Sequence, residues 1–152
     1  IATEHMASSY IKGKLLNIMQ NLPVVKEGAL ILVGCGPEEN HELAALMFAV
    51  LLRQEGYFVE YLGPDLPTDD LLDYAAIVRP KLIVLSVNQE NTAELMKGFA
   101  AELANVRGKP RLAYAGRYFD YNEQARRDLG GIYLGKTLAE ALEKMKQLIM
   151  LV

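Results

Sequence analysis

The chain is poor in the features that define several protein classes. It has one cysteine, Cys35, and no tryptophan among 152 residues, which excludes an internal disulfide and a cysteine-based zinc site. No stretch reaches the roughly 18 consecutive apolar residues of a membrane-spanning helix. With a lone thiol and no such stretch, a reducing cytoplasm is the expected location and no membrane partner is expected. Positive charge is not in excess either, since 16 Lys and Arg face 19 Asp and Glu for a net charge of −3. That is the wrong sign for a module that grips phosphate backbones by itself. What is present is apolar content: 51% of the residues are hydrophobic, enough for one domain with a real core and against a repeat array.

Between residues 3 and 22 the apolar side chains Ile11, Leu15, Ile18 and Leu22 recur at spacings of four, three and four. That spacing sets them on one face of an α-helix, which Pro23 stops. The helical pattern is already under way at residue 3 and the chain opens on Ile1, so a fragment of something longer is expected. The run Ala29-Leu30-Ile31-Leu32-Val33 is apolar at every position and too short for a helix, as in a strand buried on both faces of a parallel sheet. Further strands are predicted at 57–62, 82–87, 111–115 and 131–134. Helices are predicted at 39–55, from Thr68 to Pro80, and at 92–106, 122–129 and 138–150. Such alternation gives right-handed crossovers and a flavodoxin-like, Rossmann-like α/β fold with five parallel strands in the order 2-1-3-4-5. Residues 1–23 then form an extra helix belonging to a helical bundle, and residues 28–152 the α/β domain.

In that topology ligands bind beyond the carboxyl ends of the strands, at the switch point between strands 1 and 3. The first such loop, Gly34-Cys35-Gly36-Pro37-Glu38-Glu39-Asn40-His41, begins like a dinucleotide fingerprint but places Glu39 where the third glycine belongs. No Gly-Lys-Ser/Thr follows it, so it is not a P-loop. His41 is one of two histidines and has Glu39 two residues before it. A metal-binding imidazole commonly gives its other N–H to a carboxylate, and Glu39 is within reach. The alternative is that Glu38, Glu39 and Glu42 favour a helix dipole while His41 is an exposed loop residue. Cys35 ends a buried strand and reads as a packing residue. Tyr114, Tyr118, Phe119 and Tyr121 either flank a flat ligand or cap the sheet, and capping suits most of them. Arg126-Arg127 and Lys144-Met145-Lys146 read as solvated helix faces.

The stretch Glu39-Asn40-His41-Glu42-Leu43-Ala44, then Gly56-Tyr57-Phe58-Val59-Glu60-Tyr61-Leu62-Gly63, Leu85-Ser86 and Tyr114-Ala115-Gly116 resembles a cobalamin-binding domain over nearly all of residues 28 to 150. The family pattern is Asp-x-His-x-x-Gly, Ser-x-Leu and Gly-Gly. The resemblance implies that His41 is the lower axial ligand of a corrinoid cobalt and that the detached nucleotide tail enters the sheet. Glu39, Ser86, Asn88 and Gly116 would be its other binding positions. Here Glu39 stands for Asp, Ala44 for the first Gly, Asn88 for Leu and Ala115 for the first Gly of the pair.

Ala2-Thr3-Glu4-His5-Met6-Ala7-Ser8-Ser9 resembles the end of the helical bundle in light-responsive, MerR-type cobalamin-binding transcriptional regulators. In those proteins a Glu-His pair lies over the adenosyl-bearing face of the corrin, and Glu4 and His5 match it. The resemblance implies a non-enzymatic sensor that binds adenosylcobalamin or a related corrinoid, forms a homo-oligomer, and meets DNA only through a preceding domain. Two other readings stand beside it. One is a corrinoid carrier for methyl transfer, although Glu42-Leu43-Ala44-Ala45 lacks the polar continuation that carriers show. The other is a cofactor-free dimerisation or interaction module. On the strand order alone, His41 is expected at the carboxyl edge of the sheet between the loops bearing Ser86 and Gly116.

Overall fold

The computed structural model describes residues 1–151. Strands β1 (Leu30–Cys35), β2 (Phe58–Gly63), β3 (Leu82–Ser86), β4 (Arg111–Ala115) and β5 (Ile132–Tyr133) form one parallel sheet ordered β2-β1-β3-β4-β5. This is the order the alternation predicts. β1 is buried at all six positions, as an all-apolar strand at the centre of a sheet covered on both faces must be.

The helices are α1 (Ala2–Asn21), α2 (Leu43–Gln54), α3 (Thr68–Val78), α4 (Glu90–Leu95), α5 (Phe99–Leu103), α6 (Glu123–Leu129) and α7 (Leu138–Ile149). Two of them depart from expectation. The helix read as 39–55 begins only at Leu43, because Glu39 is turned inward and residues 37 and 38 make a turn. The helix read as 92–106 is two short helices, broken where Gly98 takes a φ of 84°, a conformation that only glycine adopts without cost.

Two cores result. On one face of the sheet, Ile31, Val33, Val84 and Ala113 pack with Leu46, Phe48 and Leu52 of α2 and Met145 and Leu148 of α7. On the other, Leu32, Ile83, Leu85 and Leu112 pack with Leu71 of α3, Met96, and Phe99 and Leu103 of α5. Tyr114 and Phe119 belong to this second core, with ring centroids 4.5 Å apart, so this part of the aromatic cluster caps the sheet. Tyr121 is exposed.

α1 packs on the first core through Met19, with Leu15 and Leu22 half-buried beside it. Ile11 and Ile18, expected on the packed face, are 42% and 43% exposed. The packed stripe is therefore Leu15, Met19 and Leu22, at spacings of four and three, rotated from the one the aliphatic residues suggest.

Phe99 is fully buried, so Phe99→Ala is expected to cost about 3–5 kcal/mol by leaving a cavity in the second core. Urea unfolding checks this, and a loss below about 1 kcal/mol would show that this face collapses onto the gap.

Candidate functional site

The register Cys35↔Ser86↔Ala115 sets the carboxyl ends of β1, β3 and β4 level. The loops that follow these strands therefore meet. Gly36 N donates to Ser86 O at 3.1 Å, and Val87 N donates to Ala115 O at 2.8 Å. A Cβ on Gly116, whose φ is 147°, would overlap the Val87 carbonyl oxygen. This position needs glycine both for its backbone conformation and for the close approach of the neighbouring loop. The pair's first member, Ala115, is an ordinary β4 residue and accommodates its methyl group.

Glu39 is fully buried at the centre of this junction. Its Oε1 accepts from Asn88 N at 2.6 Å, and its Oε2 lies 2.9 Å from His41 Nδ1 and 3.4 Å from His41 N. The Glu39 carbonyl accepts from Asp65 N at 2.9 Å, and Asp65 Oδ1 accepts from Glu38 N at 2.7 Å. Asn88 Oδ1 in turn accepts from Arg117 N at 3.0 Å. The loops after β1, β2, β3 and β4 are thus joined in one network. Glu38 and Asp65 hold positive φ values of 61° and 51° within it, a strain that survives because the surrounding bonds fix these residues.

Two departures from the cobalamin-domain pattern acquire reasons here. The Glu39 carboxylate serves both Asn88 N and the imidazole, one oxygen to each. Asn88 replaces an apolar side chain with an amide that ties down the β4 loop.

The His41 side chain is 68% exposed. An ionised carboxylate at Nδ1 can only accept, so in the neutral ring the proton sits on Nδ1 and Nε2 presents its lone pair. No hydrogen bond engages Nε2 among the described residues. Beside the ring opens a cavity of about 710 Å³, also lined by His5, Ser86, Asn88 and Gly116 and running inward along Val33, Phe48, Val84 and Ala141. Its mouth is polar and its depth apolar. The sequence-predicted residues His41, Ser86, Asn88, Gly116 and His5 all line it, while Glu39 lies behind His41 and Glu4 is exposed on α1 outside the lining.

The sequence pattern does not single out Ser8, Ser9 and Lys12 of α1, or Lys136 and Thr137 before α7, which also line the cavity. His5, Ser8, Ser9 and Lys12 follow one another at helical spacing, and that stripe is the signal for them. Lys12 Nζ pairs with Glu42 Oε1, and Tyr61 OH donates to Glu42 Oε2 at 3.1 Å.

Cys35 is buried with its Sγ 3.7 Å from the His41 carbonyl oxygen. Burial pushes its thiol up to about 12, and the Glu39 and Glu42 carboxylates add to the shift. Burial also raises the Tyr61 phenol, with Cys35 and Glu42 contributing. Neither group is set up as a nucleophile.

The fold and site define a doubly wound α/β domain that presents one carboxylate-backed imidazole at the mouth of a deep cavity. A protein-family model described as B12 binding domain matches residues 29–143, and the chain belongs to that family. It is 32% identical over 94 residues, 62% of this chain and 31% of that protein, to the HTH-type transcriptional repressor CarH of Myxococcus xanthus. It is 31% identical over 86 residues, 57% of this chain and 30% of that protein, to the HTH-type transcriptional repressor CarA of the same organism. The matched segment thus spans about a third of these relatives. The fold is also that of the monomethylamine corrinoid protein of Methanosarcina barkeri, with a TM-score of 0.74 at 17% identity over 93% of this chain and 66% of that one. No helix among the described residues is long and apolar enough to cross a membrane.

The donor set and the space fit a corrinoid. His41 is an exposed imidazole with Nδ1 held against the Glu39 carboxylate and no hydrogen bond on its second nitrogen among the described residues, and the cavity beside it is also lined by apolar side chains of the sheet, α2 and α7.

Two outcomes are expected from this geometry. Gly116→Ala is expected to cost about 3 kcal/mol or more in denaturant unfolding, from positive φ and overpacking together, and a loss below about 1 kcal/mol would mean that the two loops separate freely. The Cys35 thiol ionises at 9.0 when unperturbed and near 12 in the fold, so the folded state retains its proton longer. Its stabilising contribution is full below pH 9 and is lost as pH rises toward 12. Wild-type protein is therefore expected to lose more stability than Cys35→Ala between pH 9.0 and about pH 12, the window bounded by those two values. Equal slopes in urea titrations across that range would contradict this.

Proposed function

We propose that the chain is a non-enzymatic, corrinoid-sensing domain of a transcriptional regulator, with His41 as the lower axial ligand of cobalt. The observation that carries this is the Glu39–His41 pair, 2.9 Å apart at the mouth of a cavity lined by both α1 and the sheet. Membership of the B12-binding family and the two repressor relatives support it. Adenosylcobalamin or a related corrinoid is the proposed cofactor. When bound, it supplies a cobalt centre whose upper ligand can be exchanged or lost. On the protein side, His41 provides the nitrogen donor, Glu39 orients it, and Ser86, Asn88 and Gly116 shape the entrance to the channel. His5 of α1 faces the same cavity, and Glu4 completes the proposed pair on that helix.

Residues 1–23 are proposed as the last helix of a bundle and residues 28–152 as the sensor's α/β domain. Since His5, Ser8 and Ser9 share a cavity with His41, a bound corrinoid would contact both layers. Its affinity and the arrangement of the layers would then be linked. DNA recognition is assigned to a different segment of the regulator, in keeping with the net charge of −3, and the regulator is proposed to work as a homo-oligomer in the cytoplasm. The likeness to the monomethylamine corrinoid protein concerns the fold, and the methyl-carrier reading has no side chain in the site that favours it over the sensor.

Visible spectroscopy after dark incubation with adenosylcobalamin and removal of excess tests this reading. Retained, histidine-ligated absorbance is expected. His41→Ala should abolish that spectral form, and Glu39→Gln should weaken affinity by about 10- to 100-fold, as loss of an orienting partner does at metal-bound histidines. A His41→Ala protein with unchanged spectrum and affinity would overturn the ligand assignment. Folded wild-type protein that retains no corrinoid would overturn the function.

A further inference from the structure

Among the described residues, two polar contacts tie α1 to the α/β body. Arg53 Nη1 donates to Met19 O at 3.5 Å near the helix end, and Lys12 pairs with Glu42 at its middle. Apolar packing is confined to Leu15, Met19 and Leu22, and residues 2–10 are exposed throughout. The half of α1 that carries His5, Ser8 and Ser9 therefore has Lys12 as its nearest anchor.

Lys12 reaches the backbone neighbour of His41. The Glu42 side chain is 9% exposed, and each of its oxygens has one partner, Lys12 Nζ and Tyr61 OH. A carboxylate this far from water is tolerated because it is paired, and removing the cation leaves a buried charge held by one phenol. One relief open to it is for Glu42 to turn outward. That motion would pull on His41, whose carbonyl rests against Cys35 Sγ and whose ring rests on Glu39.

We propose that Lys12 is a positioning residue that acts on His41 through Glu42, so that the placement of α1 and the ligand-holding geometry of His41 are set together. The ligand arm of the test rests on the corrinoid reading, and the arm without ligand does not.

The test uses the whole chain as wild type, Lys12→Met, Lys12→Arg, Glu42→Gln and the Lys12→Met/Glu42→Gln double variant, with folding checked by circular dichroism. Without ligand, amide hydrogen exchange in residues 5–12 and 41–43 should quicken by about fivefold or more in Lys12→Met and return toward wild type in Lys12→Arg. With aquocobalamin as probe, each single charge-removing variant should bind about five- to tenfold more weakly with a smaller histidine-ligated fraction in the visible spectrum. The double variant should be no worse than the weaker single one, since both remove the same interaction. Unchanged exchange and affinity in Lys12→Met, or losses that multiply in the double variant, would overturn the proposal. If wild type retains no aquocobalamin while exchange responds as stated, the corrinoid reading fails and the positioning role stands. If wild type binds and Lys12→Met matches it in both readouts, the positioning role fails and the corrinoid reading stands.

Discussion

The structure of the site depends on one buried carboxylate. Glu39 has no exposure to solvent, a position that would exact a severe desolvation penalty on an unpaired acid. Here each acceptor oxygen has a partner: Asn88 N at 2.6 Å on one carboxylate oxygen, the His41 ring at 2.9 Å on the other, and Asp65 N at 2.9 Å on the main-chain carbonyl. The partners come from three different loops, so satisfying Glu39 and assembling the site are the same event. This is also why α2 starts at Leu43 rather than at the acidic residues before it. A Glu39 in the first helical turn would face the helix dipole in water and leave Asn88 N and the imidazole without their acceptor.

The sheet makes that assembly possible. A parallel sheet delivers all its strand-to-helix loops to one edge, and the level ends of Cys35, Ser86 and Ala115 bring three of them into hydrogen-bonding range. Gly116 lets the β4 loop pass against the Val87 carbonyl, and Asn88 binds that loop through Arg117 N. A residue at position 88 that is apolar in the family pattern is polar here because its side-chain amide accepts from Arg117 N at 3.0 Å and donates to Ser86 Oγ at 3.5 Å. Its amide sits among partners rather than in a hydrophobic pocket, which removes the penalty a buried unpaired amide would carry.

The fold was legible because its signals are local. Continuous apolar runs at 30–33 and 82–85 mark central strands, and Pro23, Gly56 and Pro80 punctuate the units between them. The Glu39–His41 pair was legible for the same reason, the two residues being neighbours in sequence. What escaped depends on distant partners. The value of Asn88 rests on Arg117, 29 residues on, and that of Lys12 on Glu42, 30 residues on. The packed stripe of α1 was misjudged because Met19 wins the core position over Ile11 and Ile18, and aliphatic spacing alone cannot rank a methionine above two isoleucines. The break at Gly98 was hidden because a glycine inside a helical pattern is often merely tolerated.

α1 is the least constrained large element of the molecule. It has 20 residues, of which Met19 alone is buried, while Met6, Tyr10, Ile11 and Ile18 remain exposed. The central strands β1 and β3 are buried at nearly every position, so moving α1 disturbs far less apolar contact than moving either of them. Yet α1 supplies one wall of the cavity and the sheet supplies the other. A ligand that spans the two walls gains contacts in one placement of α1 that it lacks in others, and only such differential contact can shift a conformational equilibrium. Reversing a two-state population from about 1:99 to 99:1 needs about 5.5 kcal/mol of differential binding. A large ligand touching both walls can supply that, whereas one confined to the inner channel would bind both placements alike and shift neither. For the sensing role proposed above, contact with the α1 stripe of His5, Ser8 and Ser9 would therefore be required in addition to the proposed bond at His41.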